Sequence, residues 1–356
     1  MKNESGRLQI LDLLRFCAAT SVMVYHLTYL PGFVAPGSFI GIGAVSRFGF
    51  LGVELFFLIS GFVILWSADN RSAPEFAISR FSRLMPSYWV SMAITGIGLA
   101  ILTGATYTPF QIAANATMTA GLIGTPYVDG VYWTLLIELK FYVLVFALTL
   151  FHQMRRLEYW LGGWVVALVI AHFVPLHALR SLVIYPYGAF FAAGGFFFLW
   201  WKNGLSVSKL VALLVCCALS CIGVFHIGQD FLGGAHTPFA LRISMAVVVL
   251  LYLLFAAISS GRVRVGHAAL WANLGAMTYP LYLLHNSLGK AIAADMEPFV
   301  GSVGAVVLSA CISLTLAFIL ARTTERYGCS WLRTRLLNLL RPRAAQRIEP
   351  SGRLPN

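Results

Sequence analysis

SKLVALLVCCALSCIGVFH (residues 208–226) and ALRISMAVVVLLYLLFAAI (240–258) are each nineteen residues long and almost wholly apolar, with Lys209 and Arg242 near their ends. Runs of about twenty apolar residues are what a hydrocarbon layer ~30 Å thick asks of an α-helix that rises 1.5 Å per residue. Neither run alternates polar with apolar residues, which argues against a membrane β-barrel. Outward from this pair, comparable runs occupy 8–29, 49–67, 86–103, 131–151, 159–175, 182–201, 273–292 and 299–321. The reading is an all-α, polytopic bundle of about ten transmembrane helices.

Composition points the same way. Of 356 residues, 59% are hydrophobic and 11% charged, against roughly 25% charged in soluble domains. No internal repeat stands out, and the longest break, 104–130, is too short for a second domain. Residues 1–330 therefore read as one transmembrane domain and 331–356 as a basic cytoplasmic tail.

The basic residues set the orientation. With the N-terminus in the cytoplasm, the inner segments hold 19 of the 25 lysines and arginines, from Lys2 and Arg7 to the arginines of the tail. The outer segments hold Arg47, Arg180, Arg242 and Lys290, while Arg15 and Lys140 lie inside helices. An even helix count with both termini cytoplasmic fits this asymmetry. The net charge of +12 then needs no nucleic acid. The tail reads either as a segment lying on anionic headgroups of membrane lipids or as a disordered basic end. The six cysteines lie in apolar spans or on the inner side and read as small hydrophobes rather than disulfides. Asp12 and Arg15 interrupt the first span, which argues against a cleaved signal peptide.

An ionisable residue at membrane depth is a functional candidate because burying it is costly. The first span carries Asp12, Arg15 and His26. Eleven residues at 100° each bring His26 back to the face of Arg15, roughly 16 Å further along the axis. Asp12, one turn below, can pair with Arg15. A histidine near its ordinary pKa is a natural proton acceptor for a hydroxyl nucleophile. The alternative is a structural ion pair beside a satisfied interfacial histidine. In the second span, Glu54 stands at a depth similar to His26, either orienting it, lining an outward cavity or simply interfacial. Ser60 and Gly61 are expected to permit close helix packing.

Arg80 and Arg83 stand at the expected cytoplasmic start of the third span, with Pro86 in its first turn. Three residues apart on a helix, they could clamp a phosphate, or be ordinary positive-inside arginines. The fourth span begins at Trp133 and puts Glu138 about 10 Å inside by helical rise, with Tyr142 one turn deeper on the same face. Lys140 faces elsewhere, so Arg15 or His26 is the expected partner of Glu138, in a site or in a structural pair. His285, on the ninth span, reads as a packing element or a direct participant, and Glu325 as a local cap or ion-pair partner. No metal site is read.

Taken in order, LDLLR (11–15) with His26, GVELFFLISGF (52–62), RFSRLMPSYW (80–89), WTLLIELKFY (133–142) and TYPLYLLH (278–285) resemble the membrane acyltransferase-3 family. These are bacterial integral-membrane O-acyltransferases that modify surface polysaccharides, and Glu325–Arg326 resembles the family's last, weaker motif. The resemblance implies a ten-helix bundle in the bacterial inner membrane, no tightly bound cofactor, and an acyl-CoA donor, by default acetyl-CoA, on the cytoplasmic side. It implies as acceptor a hydroxyl of a glycan or lipid-linked sugar on the outer side. It makes His26 the base, Arg15 its essential companion, Arg80 and Arg83 contacts for the CoA phosphates, and Glu325 a further family position. Thr134 stands where serine is commoner. No hydrolase-like domain follows the last span, which leaves room for a separate periplasmic transferase as partner.

Both lines lead to one expected cavity lined by Arg15, Glu54, Glu138 and His26. Glu138 joins the catalytic group, and Trp133, Tyr142 and His285 join the substrate-binding residues. A multi-pass secondary transporter is the alternative, although no inverted repeat is visible.

Overall fold

The computed structural model of the chain describes residues 4–30, 32, 39–232, 237–263 and 265–340. Each of the ten runs corresponds to a long helix: α1 (Glu4–Val24), α2 (Leu51–Ala68), α3 (Ala73–Thr103), α4 (Trp133–Leu150) and α5 (Leu157–Phe173). They continue as α6 (Gly188–Asn203), α7 (Val207–Phe231), α8 (Pro238–Ser259), α9 (Ala268–Leu284) and α10 (Ser287–Leu320), with α11 (Cys329–Leu340) beyond them. No strand occurs among the described residues. Among the described residues, seven helical stretches, those containing α1 to α4, α7, α8 and α10, are long and apolar enough to cross a membrane. The other three, α5, α6 and α9, have 16 or 17 residues.

α6 is the centre of the bundle. It reads GAFFAAGGFFFL from Gly188 to Leu199, and every one of those residues is buried. A helix apolar on all sides belongs where protein surrounds it. Its tightest neighbour is α2. A Cβ on Gly61 would meet the Phe191 carbonyl oxygen, and one on Gly194 would meet that of Leu58. The packing role expected of Gly61 is what the structure shows, with Gly194 as its counterpart on the facing helix. α1 lies along α9 and α2, and α3 packs on α9, α10 and α11.

Three local readings are corrected. α3 starts at Ala73, thirteen residues before Pro86, because Ser72 and Glu75 form a capping box with a proline in the first turn. Pro86 is thus interior, and Arg80 and Arg83 lie within a continuous helix. Secondly, α9 does not run on to 292. It stops at Leu284, Asn286 leaves helical geometry (φ −87°, ψ −85°), and α10 begins at Ser287. α10 itself turns at Gly301 (φ 70°), and Ser309 Oγ donates to Gly289 O at 2.6 Å across its two limbs. Thirdly, α1 continues into a π-helical turn, Tyr25–Tyr29, which carries His26. The 100° step therefore holds only as far as Val24.

Asp12 and Arg15 do pair, at 3.3 Å, and Gly275 on α9 leaves space for the Asp12 side chain. Residues 341–356, most of the segment read as a basic tail, lie outside the described residues, as do Lys2 and Arg264.

Candidate active site

Most of the polar residues singled out in the sequence line three cavities between α1, α2, α3, α4, α9 and α10; His285 and Lys140 line none of them. A basal cavity opens beside the start of α1 and the end of α10 and is lined by Asp12, Arg83, Arg322, Glu325 and Arg326. A central cavity holds Arg15, Ser60, Arg80, Arg83, Glu138 and Tyr142. A distal cavity, at the level of the π turn, holds Tyr25, His26, Glu54, Trp133, Asn286 and Lys290. Arg83 and Gly275 line both the basal and the central cavity. Val53 and Tyr282 line both the central and the distal one. The space open to a water-sized molecule is ≈ 100 Å³ in the central cavity, against ≈ 420 Å³ basally and ≈ 240 Å³ distally.

The single cavity expected to hold Arg15, Glu54, Glu138 and His26 is therefore two. Arg15 and Glu138 line the central one, and Glu54 and His26 the distal one. The wall between them is Tyr282, whose hydroxyl is 2.8 Å from Thr134 Oγ1 and whose ring meets Phe56 edge-on. That role for Thr134 requires only a hydroxyl, which serine would also supply.

In the distal cavity His26 Nδ1 lies 2.9 Å from His285 Nε2. His285 is fully buried and stands behind His26. Of the roles open to Glu54, the structure shows it lining this cavity. It is 1% exposed, and its Oε2 has no hydrogen-bond partner among the described residues; nor has Asn286 Oδ1. An unmet buried acceptor costs about 1–3 kcal/mol, and hydroxyl groups of a ligand would supply the missing donors. Trp133 stacks on Phe231 at 6.3 Å and tilts against Tyr187, giving the cavity an aromatic side.

In the central cavity Glu138 Oε1 accepts from Tyr142 OH at 2.7 Å and from Ser60 Oγ at 3.1 Å. The expected bond to Arg15 or His26 is replaced by these hydroxyls. Tyr142 is one turn along α4 and Ser60 faces it from α2, whereas Arg15 is engaged by Asp12. Arg80 shares the cavity and bonds Ser79 Oγ at 3.2 Å, while its buried Nε has no partner among the described residues. Arg15, Arg80 and Arg83 thus bring three guanidinium groups to a small space, an arrangement suited to an anionic or strongly polarised group.

In the basal cavity Glu325, on the π-helical segment Ala321–Gly328, accepts from Ser87 Oγ at 2.5 Å. Ser87 follows Pro86, so the interior proline of α3 marks where that segment docks. Arg322, expected only as an orientation signal, and Arg326, expected as one and as part of the last family motif, join Arg83 in lining this cavity.

Asp129 was not singled out and organises the distal end. It is fully buried. Its Oδ1 accepts from Asn286 Nδ2 (2.8 Å) and Val131 N (3.1 Å), and its Oδ2 accepts from Ser287 N (2.9 Å). One carboxylate thereby caps two helical starts, where the helix dipole favours negative charge. The Asp-Gly pair before Trp133 was a visible capping signal for the nearer helix. The partner 157 residues away was not.

The family model described as an acyltransferase domain matches residues 8–322. The chain is 28% identical to the exopolysaccharide production protein ExoZ of Rhizobium meliloti (strain 1021) over 259 residues, 69% of this chain and 78% of that one. It is 29% identical to nodulation protein 10 of Rhizobium leguminosarum bv. viciae over 196 residues, spanning 47% of this chain and about half (53%) of that relative. A 92-residue stretch is 34% identical to the acyltransferase MdmB of Streptomyces mycarofaciens, covering 26% of this chain and 24% of that one. No solved structure matches the chain.

Proposed function

The chain belongs to the acyltransferase-3 family, the family of that acyltransferase domain, and from this we propose that it moves an acyl group from cytoplasmic acyl-CoA to a hydroxyl of an extracytoplasmic glycan or glycolipid. The observation that carries the reading is the line of three cavities. A basic cavity at one end and a histidine-bearing one at the other each share lining residues with a small cavity between them, which Tyr282 separates from the distal one.

In this proposal the protein is a ten-span bacterial inner-membrane protein whose basal cavity faces the cytoplasm, with α5, α6 and α9 crossing as short spans inside the bundle. The phosphates of acyl-CoA bind Arg83, Arg322 and Arg326, the pantetheine arm passes Arg80 and Arg15 in the central cavity, and Tyr282 moves aside for the thioester to reach the distal one. The acceptor enters the distal cavity, where its hydroxyls donate to Glu54 and Asn286 and a sugar face rests on Trp133. His26 takes the proton of the reacting hydroxyl as its oxygen attacks the thioester carbonyl carbon. The carbon–sulfur bond breaks, the ester forms, and CoA leaves as the thiol after regaining that proton. Acetyl is the default acyl group because it is common in the family. The exopolysaccharide production protein among the relatives favours a glycan acceptor.

A transporter would use the helix break at His285–Asn286, since irregular backbone beside a cavity is a transporter feature. Acyl-CoA turnover separates the two. Purified protein in liposomes is expected to release CoA thiol from acetyl-CoA, and His26→Ala and Arg83→Ala to lose that release with helical content unchanged. Absence of acyl-CoA binding and turnover in folded wild type would shift the reading to transport.

A further inference from the structure

His285 occupies an unusual place. It follows the last residue of α9, where carbonyl groups lose their helical partners, and it is wholly buried. Its Nδ1 lies 2.9 Å from Tyr282 O and 3.1 Å from Leu281 O. Both neighbours are acceptors only, so the favourable arrangement puts a proton on Nδ1, shared between the two carbonyls. A lone pair there would face two carbonyl oxygens inside a protein, where such repulsion is poorly screened.

That proton determines the next one. In neutral His285 a protonated Nδ1 leaves Nε2 bare, an acceptor, and Nε2 is 2.9 Å from His26 Nδ1. His26 Nδ1 must then be the donor and carry the hydrogen. A neutral His26 protonated at Nδ1 has its lone pair on Nε2. We propose that His285 is a positioning residue which, read through two backbone carbonyls of α9, holds His26 as its Nδ1–H tautomer and leaves Nε2 as the basic nitrogen. In the catalytic triads of hydrolases a carboxylate sets the tautomer of the histidine; here a neutral imidazole of fixed polarity does so.

When Nε2 receives the hydroxyl proton, the resulting His26 imidazolium still donates Nδ1–H to His285 Nε2, and the His285 Nδ1–H still donates to the carbonyls. No hydrogen bond in the chain has to break, and the positive charge is shared toward two carbonyl dipoles. When Nε2 returns its proton to the departing thiolate, the starting state is restored. The mechanistic consequence rests on the acyltransferase reading, whereas the tautomer itself does not.

The test uses the full chain in lipid nanodiscs with ¹⁵N-labelled histidine, assigning His26 by its loss in His26→Gln. The expected spectrum has His26 protonated at Nδ1 and bare at Nε2. In His285→Asn, whose shorter amide mimics only the Nδ1 side, His26 is expected to become a mixture of tautomers. Its kcat is expected to fall about 100-fold, the lower end of what a positioned base contributes, with KM for acetyl-CoA unchanged. In His285→Gln the amide oxygen reaches about where Nε2 stood, and both the tautomer and most of kcat are expected to return. A wild-type spectrum with His26 protonated at Nε2, or His285→Asn retaining wild-type kcat, would overturn the proposal. If the wild type turned over no acyl-CoA, the acyltransferase reading would fail while the spectrum still decided the tautomer.

Discussion

With one oxygen on the Asn286 amide and the Val131 N–H and the other on the Ser287 N–H, the Asp129 carboxylate ties the break between α9 and α10 to the start of α4. Asp129→Ala would leave three donors without their acceptor at a buried site, at about 1–3 kcal/mol for each group left unpaired. We expect a clear fall in thermal midpoint in detergent for Asp129→Ala and a smaller one for Asp129→Asn, which keeps one acceptor oxygen. Equal midpoints for all three proteins would show that the contact does not hold the site together. At the basal cavity the relevant residues are Arg322 and Arg326, for neither of which the sequence reading gave a role in binding. Arg322→Ala and Arg326→Ala are each expected to raise KM for acetyl-CoA roughly several-fold with kcat unchanged, as loss of charge-assisted phosphate contacts does. Steady-state kinetics at low and high salt would check this; a change confined to kcat would place the two arginines outside donor binding.

At the scale of the elements, the α2–α6 contact is the one least tolerant of change. Inserting a methyl group between backbones differs from overfilling a side-chain gap, because a carbonyl cannot rotate away without losing its helical bond. Gly61→Ala and Gly194→Ala are expected to destabilise the bundle by about 1–3 kcal/mol or more. Gly162→Ala and Gly163→Ala on α5, where a Cβ meets nothing within 4 Å, are expected to be neutral or slightly stabilising. Monodispersity and thermal midpoint of the four variants in detergent decide the matter, and a fall in α5 equal to that in α2 and α6 would contradict it. α3 shows why the expected start of a helix was displaced. Pro86 suits a first turn, but Ser72, a proline at Pro74 and Glu75 build a complete N-terminal cap further upstream, and the chain follows the cap. The π turn at Tyr25–Tyr29 has no comparable local signal. Tyr25 and Tyr29 donate to Phe231 O and Leu232 O, so that turn is held by the end of α7, more than 200 residues away.

For the whole molecule, ten spans with cytoplasmic termini can be checked by side-specific labelling. In protein whose native cysteines are replaced by serine, Thr108→Cys and Ala178→Cys are expected to react with a membrane-impermeant thiol reagent in intact cells. Asn70→Cys and Asn203→Cys are expected to react only after permeabilisation. If Ala178→Cys and Asn203→Cys labelled from the same side, α6 would not span and the even count would fail. The apolar runs and the charges inside them were legible in the sequence, because solvation by lipid acts on each segment separately and length is measured along one helix; the break after His285 and the buried Asp129 in a loop were not. Family motifs in order singled out His26, Arg15, Arg80, Arg83, Glu138 and Glu325 before any contact was known. How these residues divide among three cavities was settled by packing between distant segments. Tyr282 meets Thr134 to form a wall, Ser60 rather than Arg15 meets Glu138, and His285 meets His26 across 259 residues. Hydropathy and helical period report how one segment meets its solvent; hydrogen-bond partners are chosen by which side chains the folded backbone brings within 3 Å, and only the tertiary structure decides that.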